Sequence, residues 1–113
     1  MNRFSLETLA AETDRAHEIN LSPDTYDELQ FALTLREIKY LESCDHQIAF
    51  EHLSKRAAKQ QRIAQNASEN AEYSRQENDE ETAREYETDA SEAKRRRKEF
   101  LRSAEFHRLA HLK

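Results

Sequence analysis

No glycine occurs anywhere in the 113 residues of this chain, and proline occurs once, as Pro23. A sheet protein reverses its direction with residues that reach positive φ, above all Asn-Gly and Asp-Gly pairs, and fills its strands with β-branched side chains. Here valine is absent and isoleucine occurs four times, while Ala, Glu, Arg, Leu and Gln abound. Those five lose little side-chain freedom in a helix. The expected fold is all-α, and 113 residues suffice for a single helical domain over 1–113.

The few breaks set the expected elements. Ser5 is placed to cap a first helix over 5–20, with Leu6, Leu9, Ala10, Ala16 and Ile19 along its apolar side. Ser22-Pro23-Asp24 opens a second helix over 23–43, because proline at the first helical position forfeits no hydrogen bond. That helix has two apolar stripes: Tyr26, Leu29, Leu33 and Tyr40 on one, Phe31, Leu35 and Ile38 on the other. A helix apolar on two sides is central to a bundle or lies at a subunit interface, and a homodimer is the expectation drawn from it.

Residues 45–113 contain neither Gly nor Pro. Asn78, followed three positions on by Glu81, fits a reciprocal cap and divides this stretch into helices over 45–77 and 79–112. Folded back on each other they form a long antiparallel hairpin with arms of about 50 Å. The alternative is one continuous helix in a dimeric coiled coil. Alanines at helical spacing, including Ala57, Ala64, Ala67, Ala71, Ala83, Ala90, Ala93 and Ala104, supply a seam along which two helices approach closely. Between residues 54 and 99 only Ile63, Tyr73 and Tyr86 exceed alanine in apolar bulk. The core is therefore expected in 4–53 and 100–112, with a polar hairpin tip.

Charge is sorted along the chain. Residues 1–54 hold eleven acids against four bases, and then Lys55, Arg56, Lys59 and Arg62 follow with no acid between them. Residues 63–93 hold ten acids against Arg75 and Arg84, before the run Lys94, Arg95, Arg96, Arg97 and Lys98. Folding about Asn78 makes facing positions sum to about 156, which puts both basic runs at one height and the acids of 69–92 at the tip.

Little in the chain suggests catalysis. Without glycine neither a phosphate-binding loop nor a nucleophile elbow takes its usual form, and no carboxylate-rich helix carries the Glu-x-x-His pattern of di-iron bundles. His107 and His111 have metal-ligand spacing, and in this register His111 falls near His46 and His107 near Phe50, with Cys44 close by. No short-spaced cysteine pair anchors such a site, and histidines near a helix C-terminus are favoured by its dipole. The expectation is no catalytic residue, no metal and no cofactor. Cys44 is expected as a small buried hydrophobe, and His17 and His52 stand alone on partly exposed faces. A single cysteine, early acids (Glu7, Glu12, Asp14) and no long apolar run lead to an expected cytoplasmic protein, with no secretory signal and no membrane association.

The charge layout is the main functional clue. Acidic helical surfaces can stand in for phosphates on a basic partner. The expected function is a non-catalytic protein-binding inhibitor or adaptor, engaging a basic and nucleic-acid-handling protein through Glu77, Asp79, Glu80, Glu81, Glu85 and Glu87. Small acidic helical proteins of this type occur among phage-encoded inhibitors and regulators, including anti-defence proteins, and among secretion co-chaperones and assembly adaptors, though no motif ties the chain to one of them. The first alternative is a nucleic-acid-binding or transcription-regulating protein that uses Lys55, Arg56, Lys59, Arg62 and Lys94, Arg95, Arg96, Arg97, Lys98 on phosphates. Its net charge of −5 speaks against general nucleic-acid affinity. The second alternative is a structural coiled-coil dimerisation module.

Overall fold

The computed structural model describes the backbone of residues 3–15 and 23–112, and side chains over 7–15 and 27–112. Four helices follow in order: α1 Arg3–Asp14, α2 Pro23–Leu41, α3 His46–Gln76 and α4 Glu80–His111. No strand occurs among the described residues. Helices α3 and α4 lie against each other along their length as the expected antiparallel hairpin, while α1 packs on α2 and α2 on α4. The turn at 77–79 excludes the continuous helix. The longest dimension, 53 Å, is close to the expected length of one arm.

The hairpin turn shows how the chain reverses without glycine. Asn78 adopts φ 63°, the left-handed region, where a short polar side chain is the best substitute for a missing Cβ. The N–H groups of Glu77, Asn78 and Asp79 donate to the carbonyls of Tyr73, Arg75 and Ser74, closing the last turn of α3. Asp79, one position later than expected, caps α4 by accepting from the Thr82 N–H at 3.2 Å. Asn78 is occupied by the turn itself and so cannot be the cap.

The other ends follow the same accounting. Asp45 caps α3, accepting from Gln47 N and Ile48 N at 3.0 and 3.1 Å. Helix α2 stops at Leu41 rather than 43, and the Ser43 hydroxyl donates to the Tyr40 carbonyl. Helix α1 begins at Arg3, so Ser5 lies inside its first turn rather than capping it; N–H groups there have no intrahelical partner in any case. The expected end of helix 1, with Ala16, His17 and Ile19, lies outside the described residues.

The core sits at the open end of the hairpin: Leu41, Ala49, Leu53, Ala57, Phe100 and Ala104 are buried, with Ile38, Cys44 and Phe50 packed against them. Towards the tip the seam narrows to Ala64, Ala67 and Ala71 on α3 facing Ala83, Ala90 and Ala93 on α4, all buried. The second stripe of α2 is partly covered within the chain. Phe31 lies under the Arg95 guanidinium, 3.7 Å from its ring centroid, and Ile38 joins the core, which leaves Leu35 exposed.

The turn makes a specific prediction. Asn78→Ala should lower the unfolding free energy by about 1 kcal/mol, whereas Asn78→Gly should leave it unchanged or raise it. Urea unfolding followed by circular dichroism checks this. Equal losses in both variants would show that positive φ is not what selects asparagine here.

Candidate functional site

The two basic runs do meet at one height, as Arg96 Nε donating to Gln60 Oε1 at 2.9 Å shows. Several of their side chains, however, point into the molecule. Arg56 is buried: its Nε donates to Glu37 Oε2 at 2.8 Å and its Nη1 reaches the Asp14 carboxylate at 2.9 Å. Its guanidinium also lies over the Phe100 ring at 5.2 Å. Lys59 Nζ contacts Asp14 Oδ2 at 2.7 Å, and Glu37, fully buried, also meets His52 Nε2 at 3.1 Å. His52 is thus not solitary, contrary to expectation, because α2 brings the Glu37 carboxylate over it.

The same pattern recurs nearer the tip. Arg96 is buried and its Nη1 reaches Asp27 Oδ1 at 3.4 Å. Acids of α1 and α2 therefore neutralise Arg56, Lys59 and Arg96, and Phe31 takes up Arg95. Of the expected phosphate-binding set, Lys55, Arg62, Lys94 and Lys98 are exposed and Arg97 is half-buried, each without an ion pair among the described residues. The basic zone is thus divided between side chains engaged inside the chain and side chains open to water.

All six expected tip acids are exposed, but they are not equivalent. Asp79 is the α4 cap, and its hydrogen bonds from Thr82 hold its carboxyl below the usual aspartate range. Arg75 bridges Glu80 and Glu87, with Nε at 3.0 Å from the former and Nη2 at 2.6 Å from the latter. Glu80 is consequently held below the usual glutamate range. Glu77, Glu81 and Glu85 have no ion-pair partner among the described residues. These three are the carboxylates available to a cationic partner.

A cleft of about 520 Å³ separates α1 and α2 from the middle of the hairpin, and Asp14, Gln30, Lys59, Tyr86, Glu92 and Arg96 are among its lining residues. Glu92 is pushed up to about 7, first by burial and then by its hydrogen bond with Asp27. Burial also raises Asp89 and lowers Arg96. Sequence reasoning missed this carboxylate group. The available signal was the Glu92–Arg96 spacing of four, which by itself reads as an ordinary helix-surface pair.

At the open end His46 and His107 face each other with Nδ1 atoms 2.8 Å apart, so one ring donates and the other accepts. His107 is fully buried, and burial, with His46 beside it, lowers its pKa. The expected pairing of His46 with His111 is corrected by one helical turn: facing positions on packed helices recur only every three or four residues, and here they sum to 153. His111 is exposed and the Cys44 thiol turns to the Tyr40 carbonyl, so the four residues do not assemble. Among the described residues no group of three or more His, Cys, Asp or Glu side chains is arranged to hold a metal. None of the described helices is long and apolar enough to cross a membrane.

Comparison with known proteins gives no relative: no protein-family model, no curated protein and no solved structure matches the chain.

Two stability measurements follow. Glu37→Ala removes the fully buried partner of Arg56, leaving it Asp14 alone, and should cost about 3 kcal/mol, whereas Lys59→Ala, at a partly exposed pair, should cost under about 1 kcal/mol. Urea titrations separate the two, and comparable small losses would contradict a buried pair. Glu92 keeps its proton in the folded state when the unfolded chain has released it. Its contribution is complete below the ordinary value of 4.5 and is lost as pH rises through about 7. Glu92→Gln should remove that decline from a pH series of unfolding free energies, and an unchanged slope would assign it to another group.

Proposed function

We propose that this protein is a non-catalytic binding protein, an inhibitor or adaptor, whose acidic hairpin tip engages a basic partner protein. One observation carries the reading: three cations of the basic zone are engaged inside the chain, whereas three carboxylates of the tip are left without a partner among the described residues. Arg56, Lys59 and Arg96 pair with Glu37, Asp14 and Asp27, while Glu77, Glu81 and Glu85 stand exposed at the tip with no ion pair among the described residues. Residues 69–92 carry ten acids and two bases, and such a field attracts a cationic surface and speeds its encounter. A rigid hairpin presents those carboxylates at fixed spacing, as a groove built for phosphates would require. The inward pairing also weakens the nucleic-acid alternative, since Arg56, Lys59 and Arg96 of the nine cations are engaged by acids of α1 and α2. A partner that handles nucleic acid fits the chemistry of the tip, as does a cytoplasmic setting.

The experiment is a comparison of two variants against the partner recovered by affinity capture from the native host. Glu77, Glu81 and Glu85 changed together to Lys should slow association by at least about tenfold at low salt, with a smaller effect at high salt. Changing Lys94 and Lys98 together to Gln should alter it less than about twofold. The opposite ranking, accompanied by binding to duplex or single-stranded nucleic acid that weakens steeply with salt, would make the basic side chains the working surface.

A further inference from the structure

The last turns of α4 carry a surface that the rest of the chain leaves uncovered. Leu101, Glu105, Arg108 and Leu112 are spaced four, three and four residues apart, so they form one stripe along the helix. The buried residues here, Phe100, Ala104 and His107, each lie one position earlier, which sets the stripe about 100° around the helix from the face on α3. Leu101 is 40% exposed and Leu112 71%, with Phe106 at 57% and Leu109 at 48% alongside. Glu105 and Arg108 pair with each other at 2.9 and 2.5 Å, both about half exposed. Such a pair contributes little in water, and several large apolar side chains exposed within four turns mark an interaction surface.

The spacing and the chemistry of the stripe read the same way from both ends. In an antiparallel pair with residue 101 opposite 112, Leu101 of each copy meets Leu112 of the other, and Glu105 of each meets Arg108. The four-three-four spacing is that of a coiled-coil seam, and a contact in which each residue meets its complement is what a two-fold axis generates. We infer that this stripe is the interface for a second copy of the chain, joining two hairpins antiparallel at their open ends.

Charge selects this occupant over others. A parallel pair would set Glu105 against Glu105 and Arg108 against Arg108. An acidic partner helix or an anionic lipid surface would meet the Glu105 carboxylate unfavourably, whereas a second copy satisfies both signs. Lys94 and Lys98 fall outside the four-residue seam, and the two acidic tips point in opposite directions, so the like-charged regions do not approach. The inference is independent of the tip reading, because it uses no residue of the tip. With only three to four turns in contact, the area is small for a specific interface, and the dimer belongs in the micromolar range.

Sedimentation equilibrium from low micromolar to sub-millimolar concentration tests it. The wild-type chain should dimerise as concentration rises. Glu105→Arg and Arg108→Glu should each raise the dissociation constant by at least about tenfold, because each opposes like charges. An equimolar mixture of those two variants should form a heterodimer, and the double variant E105R/R108E should dimerise like wild type. Leu101→Ser with Leu112→Ser should be monomeric, with helicity unchanged because both side chains are exposed. A wild-type chain that stays monomeric throughout would overturn the inference. So would a dimer indifferent to the charge reversals, or one that mixing fails to restore. Binding to anionic vesicles by a chain that is monomeric in solution would assign the stripe to a lipid surface instead.

Discussion

Arg56 on α3 donates to Glu37 on α2 at a point where neither side chain is open to water. Removing a guanidinium and a carboxylate from water is expensive, and their attraction offsets that only while both stay in place. The pair is therefore poor as a source of net stability and strong as a constraint on arrangement. With Asp14 reaching the same guanidinium from α1, it specifies where both N-terminal helices lie on the hairpin. Farther along, Arg96 repeats the device with Asp27 and Gln60. Shifting α2 along the hairpin would part Glu37 from Arg56 and Asp27 from Arg96, at a cost in buried charge.

That constraint also decides which charges face outward. A chain with eighteen basic and twenty-three acidic side chains has ample means to pair everything on its surface. Instead the N-terminal acids are spent on the middle of the hairpin, and those of 77–87 stay at its tip. Helix α4 divides likewise along its length, from acids in its first turn to exposed leucines near its end. The molecule thus has two chemically unlike ends held about 50 Å apart by an alanine-lined pair of helices.

Much of the fold was legible because it rests on local rules. The missing glycines exclude a sheet, Pro23 opens α2, and the alanine spacing supplies the hairpin seam. The turn was placed to within one residue by the Asn78–Glu81 capping pattern, although Asn78 takes the positive φ of the turn and Asp79 is the cap. What could not be read was pairing across elements. Glu37 and Asp27 look like surface acids of a helix, and nothing in their spacing announces that α2 will bury them against arginines. His52 and the Glu92–Asp27 contact were missed for the same reason, and the His46–His107 pairing because register at a hairpin's open end slips by a helical turn. Of the second apolar stripe of α2, Phe31 and Ile38 are half-buried by the chain itself and Leu35 stays exposed. The leucines of α4 that do stay exposed had been assigned to the core.

Arg56 and Arg96 are held inside, and the proposed function depends on their being engaged there rather than on phosphates. Side-chain nitrogen NMR reports this directly through the exchange of arginine Nε–H protons with water. Arg84, 77% exposed, serves as the internal reference. The Nε–H groups of Arg56 and Arg96 should exchange at least about tenfold more slowly than that of Arg84, and neither signal should move when duplex DNA is added. Exchange as fast as at Arg84, with both signals shifting on DNA, would contradict it.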